Sequence, residues 1–107
     1  MAPYVLMVLT NPVEGREDEY NTWYDTAHLP DVLSVKGFVA AQRFEVSEVS
    51  AASVAHRSVT IYEIECDDIG ATAQALLDAQ LPVSDAFDRG SASAIYYRPV
   101  TDRIVAT

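Results

Sequence analysis

The sequence predicts a single α+β domain whose strands and helices follow the order βαββαβ. At 107 residues, half of them hydrophobic, the chain is long enough for one core and too short for two. Apolar runs typical of strands alternate with two segments of helical periodicity. Two split crossovers of this order give a four-stranded antiparallel sheet with both helices on one face.

The first half of the chain is predicted to form a strand, a helix and a second strand. Residues 4–10 contain no charged side chain, which is typical of a central strand buried on both faces. The acidic residues 17–19 favour a helix start, and the periodicity continues to about His28. Pro30 disfavours the helical conformation at Leu29, so we expect the helix to end there, with a short turn to follow.

The rest of the chain, from the second strand onward, completes this order. Its predicted elements are, in order, a second strand over 38–46, a loop over 47–55, a third strand over 57–65, a helix from Asp67 or Asp68 to about residue 80, one further turn over 83–89, and a fourth strand over 93–101 that the tail 102–107 extends. Because strand one shows no charged residue at either face, the sheet face without helices should be apolar. We expect a second copy of the chain to cover it as a homodimer.

Composition excludes several classes of function. A net charge of -9 argues against nucleic acid and anionic membrane surfaces as partners, since both need clustered Lys and Arg. No apolar run approaches the roughly 18 residues of a membrane span. With one cysteine, Cys66, and no apparent signal peptide, we expect a cytoplasmic protein. Two distant histidines predict no metal site, and no glycine-rich motif predicts a nucleotide cofactor.

The segment around His28 carries the candidate chemistry. Tyr20, Trp23, Tyr24 and His28 share one helical face, and Asp25 precedes His28 by three residues. We therefore expect Asp25 to orient the imidazole for proton transfer. The alternative is structural: a histidine near a helix end can interact with the helix dipole or with nearby carboxylates, and the aromatic face can simply be core.

The run WYDTAHLPD, followed by Gly37-Phe38 and the strand residues 41–44 (AQRF), resembles the EthD-like families of the dimeric α+β barrel superfamily. The resemblance covers about the first 46 residues by motif. It implies a ferredoxin-like domain, sheet-to-sheet pairing of two copies, and a pocket between sheet and helices with His28 near its mouth. The superfamily includes cofactor-free cyclases, isomerases, monooxygenases and dehalogenating enzymes, so the fold does not select one reaction.

Further candidates lie on the predicted strands. Arg43 could bind a carboxylate or enolate oxygen, or pair with a nearby acid. Tyr62 and Tyr96 could point hydroxyls into the pocket, or could pack in the core. Together with Trp23 and Tyr24 as pocket walls, these residues form the predicted substrate site. His56 becomes relevant only if the loop 47–55 closes over the pocket.

The sequence thus predicts a cofactor-independent acid/base enzyme of isomerase, cyclase or dehydratase type, with catalytic His28 oriented by Asp25. Its expected substrate is a small apolar molecule with a carbonyl or phenol group. A cofactor-free monooxygenase and a non-catalytic binding protein are the alternatives.

Overall fold

The computed structural model describes residues 2–107, which form one sheet and one layer of helices. The strands are β1 (Ala2–Thr10), β2 (Phe38–Glu45), β3 (Ser58–Cys66) and β4 (Ser93–Tyr97). The helices are α1 (Glu17–Trp23), α2 (Leu29–Leu33) and α3 (Ile69–Asp78), and a π-helical segment (Tyr24–His28) joins α1 directly to α2. None of these helices has the length and apolar character needed to cross a bilayer.

The four strands are all antiparallel and lie in the order β2-β3-β1-β4. This arrangement confirms the predicted ferredoxin-like fold. One row of cross-strand neighbours runs across the whole sheet through Ala41, Tyr62, Leu6 and Tyr96. Because side chains alternate along a strand, this row and the residues two positions away point toward the helices. We call this side the covered face.

The main core lies between the covered face and the helices. Its buried members are Leu6, Val32, Phe38, Tyr62, Ile64 and Cys66. A second, aromatic cluster joins Tyr20 and Tyr24 to Ala86, which is fully buried in the segment before β4. The same segment is fastened to the end of β1 by a bridge between Pro12 and Phe87. The residues that precede β4 therefore close one end of the helical layer.

The opposite side of the sheet carries no helix, and we call it the open face. Its apolar residues, which alternate with those of the covered face, are Val5, Met7, Leu9, Phe44, Val59, Ile61, Ile95 and Tyr97, and the polar residues Gln42, Glu63 and Ser93 lie on the same face. Within one chain these side chains are half-buried or exposed, with Phe44, Ile95 and Tyr97 each more than 40% accessible. The expectation that β1 is buried on both faces is thus not met within a single copy.

The helix does not end before Pro30, contrary to the sequence-based expectation. Leu29 has φ -58° and ψ -50°, so it is fully helical, and its N–H donates to the carbonyl of Tyr24 five residues earlier. A π-helical turn contains more residues than an α-helical one. The wider turn changes which carbonyl lies opposite the proline ring, and so the helix continues through Pro30 to Leu33.

Three element boundaries in the second half of the chain differ from the sequence-based expectation or define it more closely. They are the start and end of α3 and the end of β4. Asp68, rather than Asp67, caps α3 by accepting a hydrogen bond from the Ala71 N–H at 3.1 Å. That helix ends at Asp78, and Gln80 adopts a left-handed φ of 47°. Strand β4 ends at Tyr97 instead of residue 101, because Pro99 has no N–H for the ladder and the pairing with β1 stops at Val5. The tail 102–107 therefore does not extend the sheet.

Candidate functional site

An apolar cleft of about 520 Å³ lies between α3 and the covered face. Most of its wall is aliphatic and comes from strands β1 and β4, from Val32 of α2 and from α3 with the residues after it: Leu6, Val8, Val32, Ala73, Leu76, Leu77, Leu81 and Ala94. The polar groups of the wall are few: His28, Tyr62, Gln80 and Tyr96. Small-molecule sites commonly combine an apolar wall with a few polar groups in this way.

His28 enters the cleft from the last residue of the π-helical segment. Its ring stacks on Trp23 at a centroid distance of 4.6 Å and meets the edge of Tyr24 at 5.1 Å. The Nδ1 atom is buried and has no hydrogen-bond partner among the described residues. Burial lowers the pKa of His28 below its ordinary value, and the negative charge of Asp31 only partly offsets this effect. The imidazole is therefore neutral at pH 7.

Tyr62 and Tyr96 reach the cleft from adjacent positions of the cross-strand row on either side of Leu6. Tyr62 is only 1% exposed, and its hydroxyl lies beside that of Tyr24. Burial raises the pKa of Tyr62 well above its ordinary value, and burial likewise raises the pKa of Tyr96. Both phenols consequently stay protonated at neutral pH and can donate a hydrogen bond to a ligand.

A second cleft of about 300 Å³ lies on the other side of α1, and we call it the polar cleft. Its centre is Arg43, whose Nη1 donates to Asp25 Oδ1 at 2.6 Å and whose Nη2 donates to Asn21 Oδ1 at 2.7 Å. The guanidinium carbon lies 4.6 Å from the ring centre of Tyr24 and 5.5 Å from that of Tyr20. Arg43 thus ties α1 and the π-helical segment to β2 by hydrogen bonds and cation–π contacts.

The predicted contact between Asp25 and His28 is not formed. Asp25 pairs with Arg43 instead, and the nearest electrostatic influence on His28 comes from Asp31. The π-helical segment explains the difference, because a wider turn moves position i+3 away from the side of the helix that position i occupies. Sequence spacing assumed α-helical geometry, in which the two side chains would have been neighbours.

The structure brings some predicted site residues together and separates others. His28, Tyr62 and Tyr96 line the apolar cleft. Trp23 and Tyr24 lie behind the His28 ring and are absent from the cleft wall. Arg43 and Asp25 line the polar cleft instead.

Sequence reasoning also missed one wall of the site. It left the role of His56 undecided. The spacing of the α3 residues that face the cleft is also that of a buried helical stripe, although Leu77 is 70% exposed. His56 lies away from the apolar cleft, where its Nε2 is 2.6 Å from the carbonyl oxygen of Ser91. Within residues 2–107, no three His, Cys, Asp or Glu side chains form a group that could hold a metal ion.

Comparisons with known proteins identify solved structures with a similar fold. No family model matches the chain, and no curated protein matches its sequence. Among solved structures, a protein from Shewanella loihica PV-4 that is provisionally assigned as a monooxygenase has a TM-score of 0.65 at 13% identity, over 94% of this chain and 96% of that one. A dimeric ferredoxin-like protein from an uncultured marine organism has a TM-score of 0.61 at 12% identity, over 99% and 95% of the two chains.

An EthD family protein from Bacillus halodurans C-125 is also similar. It has a TM-score of 0.54 at 8% identity and covers 94% of this chain and 100% of its own. The structural neighbours of this chain therefore include an EthD family protein and a dimeric ferredoxin-like protein, as the motif resemblance implied. At these identities the likeness concerns the fold, and the chemistry has to be argued from the two clefts.

Proposed function

We propose that this protein is a cofactor-independent enzyme that transfers a proton on a small apolar molecule bearing a carbonyl or phenol group. The observation that carries the proposal is the position of the His28 imidazole at the wall of a largely aliphatic cleft, where burial lowers its pKa. A histidine whose pKa lies below neutrality is unprotonated at pH 7 and is ready to accept a proton. The aliphatic wall favours a substrate with little charge of its own.

In this reaction His28 acts as the general base and then as the general acid. It removes a proton from a carbon next to the carbonyl, or from a phenol, and returns it to a different atom of the same substrate. Isomerisation, cyclisation and dehydration all follow this pattern of one proton removed and one returned. Tyr62, which lines the apolar cleft and stays protonated, donates a hydrogen bond to the oxygen on which negative charge develops.

Arg43 is the weaker candidate for stabilising that charge. Both of its Nη atoms already donate to Asp25 and Asn21, and it lines the polar cleft instead of the apolar one. Its proposed contribution is to hold the π-helical segment against β2, because that segment carries His28. Trp23 and Tyr24 support the imidazole ring from behind and so fix its orientation.

The enzyme is proposed to act as a homodimer that pairs through the open face. Its two central strands present Val5, Met7, Leu9, Val59 and Ile61 side by side, and extended apolar patches are seldom left in water by a monomer. The dimeric ferredoxin-like neighbour has the same sheet and helix arrangement, which supports this assembly. Sheet-to-sheet pairing leaves the apolar cleft of each copy accessible, since the clefts lie on the opposite, covered face.

The test is a substrate panel with matched variants. Small ketones, lactones and phenols are screened for turnover, and their binding is followed by the fluorescence of Trp23, the sole tryptophan of the chain. We expect His28→Asn to reduce turnover by about 10²–10⁴-fold while the fold and ligand binding persist. Asp25→Asn is the matched control, because it alters the polar cleft and should reduce turnover far less.

Three other results of the substrate panel would each assign a different role to the protein or to His28. Full activity in His28→Asn would show that the proton is moved by another group. Turnover that consumes oxygen in proportion to product would establish the monooxygenase alternative. Binding of panel members with no chemical change would establish a ligand-binding protein.

A further inference from the structure

Gln80, just after α3, combines an unfavourable backbone conformation with a place in the wall of the apolar cleft. Its φ of 47° lies in the left-handed region, where a side chain crowds the backbone and glycine is the preferred residue. At the other two positions of positive φ within residues 2–107, the sequence has glycine, at Gly15 and Gly37. Gln80 is therefore an exception in this chain, and the presence of its side chain calls for an explanation.

The backbone conformation itself follows from the way α3 ends. Gln80 is the second residue after Asp78, the last residue of the helix, and its N–H donates to the carbonyl of Leu77 at 3.2 Å. This hydrogen bond is typical of helices that end in a left-handed residue. Leu81 then packs against the main core, and Pro82 cannot continue the helix. Glycine would serve this turn with less strain than glutamine does.

The side chain of Gln80 is accessible at the apolar cleft. Among the described residues of the cleft wall it carries the one carboxamide, which offers both a donor and an acceptor and does not ionise. This amide forms no hydrogen bond with another described side chain or backbone group. The other polar groups of the wall come from the π-helical segment (His28) and from the sheet (Tyr62 and Tyr96). Gln80 thus adds a free polar group on the α3 side of the cleft.

We propose that Gln80 is a specificity-determining residue of the apolar cleft, whose carboxamide hydrogen-bonds to a second neutral oxygen of the ligand, either a hydroxyl or a carbonyl. The amide NH₂ group donates to either kind of oxygen, and Oε1 accepts from a hydroxyl. A carboxylate does not fit this position, since none of the described residues that line the cleft is a Lys or Arg. The ligand is therefore a small apolar molecule with two oxygen functions.

A second polar contact gives the ligand a defined orientation. One oxygen lies at His28 and Tyr62, and Gln80 binds the other from a different element of the fold, so a small ligand cannot rotate freely against the aliphatic wall. This inference rests on the proposed function in that it takes the apolar cleft as the ligand site. It does not depend on proton transfer by His28, because a binding contact changes affinity whether or not the ligand is converted.

The first experiment separates the amide from the backbone strain. Gln80→Gly removes both, whereas Gln80→Met keeps a side chain of similar length and removes only the amide. We expect Gln80→Gly to raise the equilibrium constant for folding by about threefold to tenfold, because relief of strain outweighs the greater freedom of glycine in the unfolded chain. Gln80→Met should stay close to the wild-type value. Urea denaturation at one protein concentration measures both.

The second experiment measures ligand discrimination by isothermal titration calorimetry with acetophenone and its ring-hydroxylated isomers. We expect the best hydroxylated ketone to bind the wild type about tenfold more tightly than acetophenone, the upper range for one hydrogen bond. Gln80→Gly and Gln80→Met should both lose this preference. Gln74→Met is the matched control, because Gln74 lies on α3 outside the cleft, bonded to Asp78 at 2.8 Å, and should preserve it.

The decisive result is a Gln80→Gly variant that is more stable than the wild type and discriminates less. A stabilised variant that keeps the preference for the hydroxylated ketone would overturn the proposal, and so would a wild type without this preference. A Gln80→Gly variant less stable than the wild type would show that glutamine is not strained there, and would overturn the argument as well.

Failure of the proposed function gives a different pattern. Full activity in His28→Asn, with discrimination still lost in the Gln80 variants, would refute the role of His28 and leave Gln80 as a binding residue. A reaction that depends on His28, with unchanged discrimination in Gln80→Met, would refute the role of Gln80 and leave the proposed function standing. A wild type that binds none of these ketones would overturn both.

Discussion

The two halves of β3 differ in how they distribute side chains between the two faces of the sheet. In the first half the covered face carries Ser58, Thr60 and Tyr62 and the open face carries Val59 and Ile61. In the second half the covered face carries Ile64 and Cys66 and the open face carries Glu63 and Glu65. Only in the first half, therefore, are hydroxyl groups buried under the helices while aliphatic side chains stay accessible in a single copy. Normally the buried face of an antiparallel sheet is apolar and the exposed face is polar.

The second half of β3 follows this rule, and the first half reverses it. Stability alone would place aliphatic residues beneath the helices, since each unpartnered buried hydroxyl is costly. Polar groups retained there point to binding or chemistry, and aliphatic groups retained on the open face point to association with another surface. The predictions below test each side of this comparison.

The largest effect is expected on the open face. Ile61→Glu places a carboxylate opposite Met7 at the centre of the sheet, where a dimer would bury it. A two-fold dimer carries the substitution twice, so we expect its dissociation constant to rise by at least about 100-fold. Light scattering should give about twice 11.7 kDa for the wild type and the monomer mass for the variant at micromolar concentration.

Val49→Glu is the matched control for this measurement. Val49 is 88% exposed in the loop between β2 and β3 and lies outside the open face. It should leave the mass unchanged. A wild-type protein that is monomeric at every concentration would contradict the assignment of the open face to dimerisation.

The parts of this architecture that depend on local patterning could be predicted from the sequence. Alternation along β3 and the acidic start of α1 are local signals, and they located these elements to within a few residues. The same kind of reasoning placed the N-cap of α3 at Asp67 or Asp68, and the structure shows that the cap is Asp68.

Features that depend on tertiary contacts could not be predicted in this way. The pairing of Asp25 with Arg43 joins residues 18 positions apart, so no helical spacing reveals it. The π-helical turn at residues 24–28 has no established sequence signature. This turn allows the helix to continue through Pro30, and it directs the Asp25 side chain toward Arg43 instead of His28. The α3 wall of the apolar cleft could not be recognised from the sequence, because it has the same periodicity as a buried helix face.

The next effect concerns the apolar cleft, in which Leu6 forms part of the buried floor and Leu77 part of the exposed rim. Substitutions at the two positions should change the stability of the fold by different amounts. Leu6 is 2% exposed and belongs to the main core, so Leu6→Ala should lower the free energy of unfolding by about 2–5 kcal/mol. Leu77→Ala removes the same atoms from a side chain that is 70% exposed. This substitution should change the free energy of unfolding by less than about 0.5 kcal/mol.

Both leucine variants should be compared with wild type by urea denaturation at one protein concentration, because the stability of a dimer depends on concentration. Leu77→Ala should nevertheless weaken binding of apolar ligands, since its side chain lines the cleft. Equal losses of stability in the two variants would contradict the distinction between floor and rim.

The smallest effect is the titration of His28, which reports on the environment of the covered face directly. Trp23 stacks on the imidazole, so protonation of His28 should change its fluorescence. Because burial lowers the pKa of His28 in the folded protein, we expect the midpoint to lie below the ordinary value of about 6.5. His28→Asn should abolish the transition, whereas His56→Asn should leave it in place.

The same shift fixes the sign of the pH dependence of stability. Between the folded pKa of His28 and about 6.5, the unfolded chain binds more protons than the folded one, so stability falls as the pH falls through this window. The contribution of His28 is complete above about pH 6.5, and the loss should be absent in His28→Asn. A fluorescence midpoint above 6.5 would mean that nearby carboxylates such as Asp31 outweigh burial, and that His28 is protonated too readily to serve as the base.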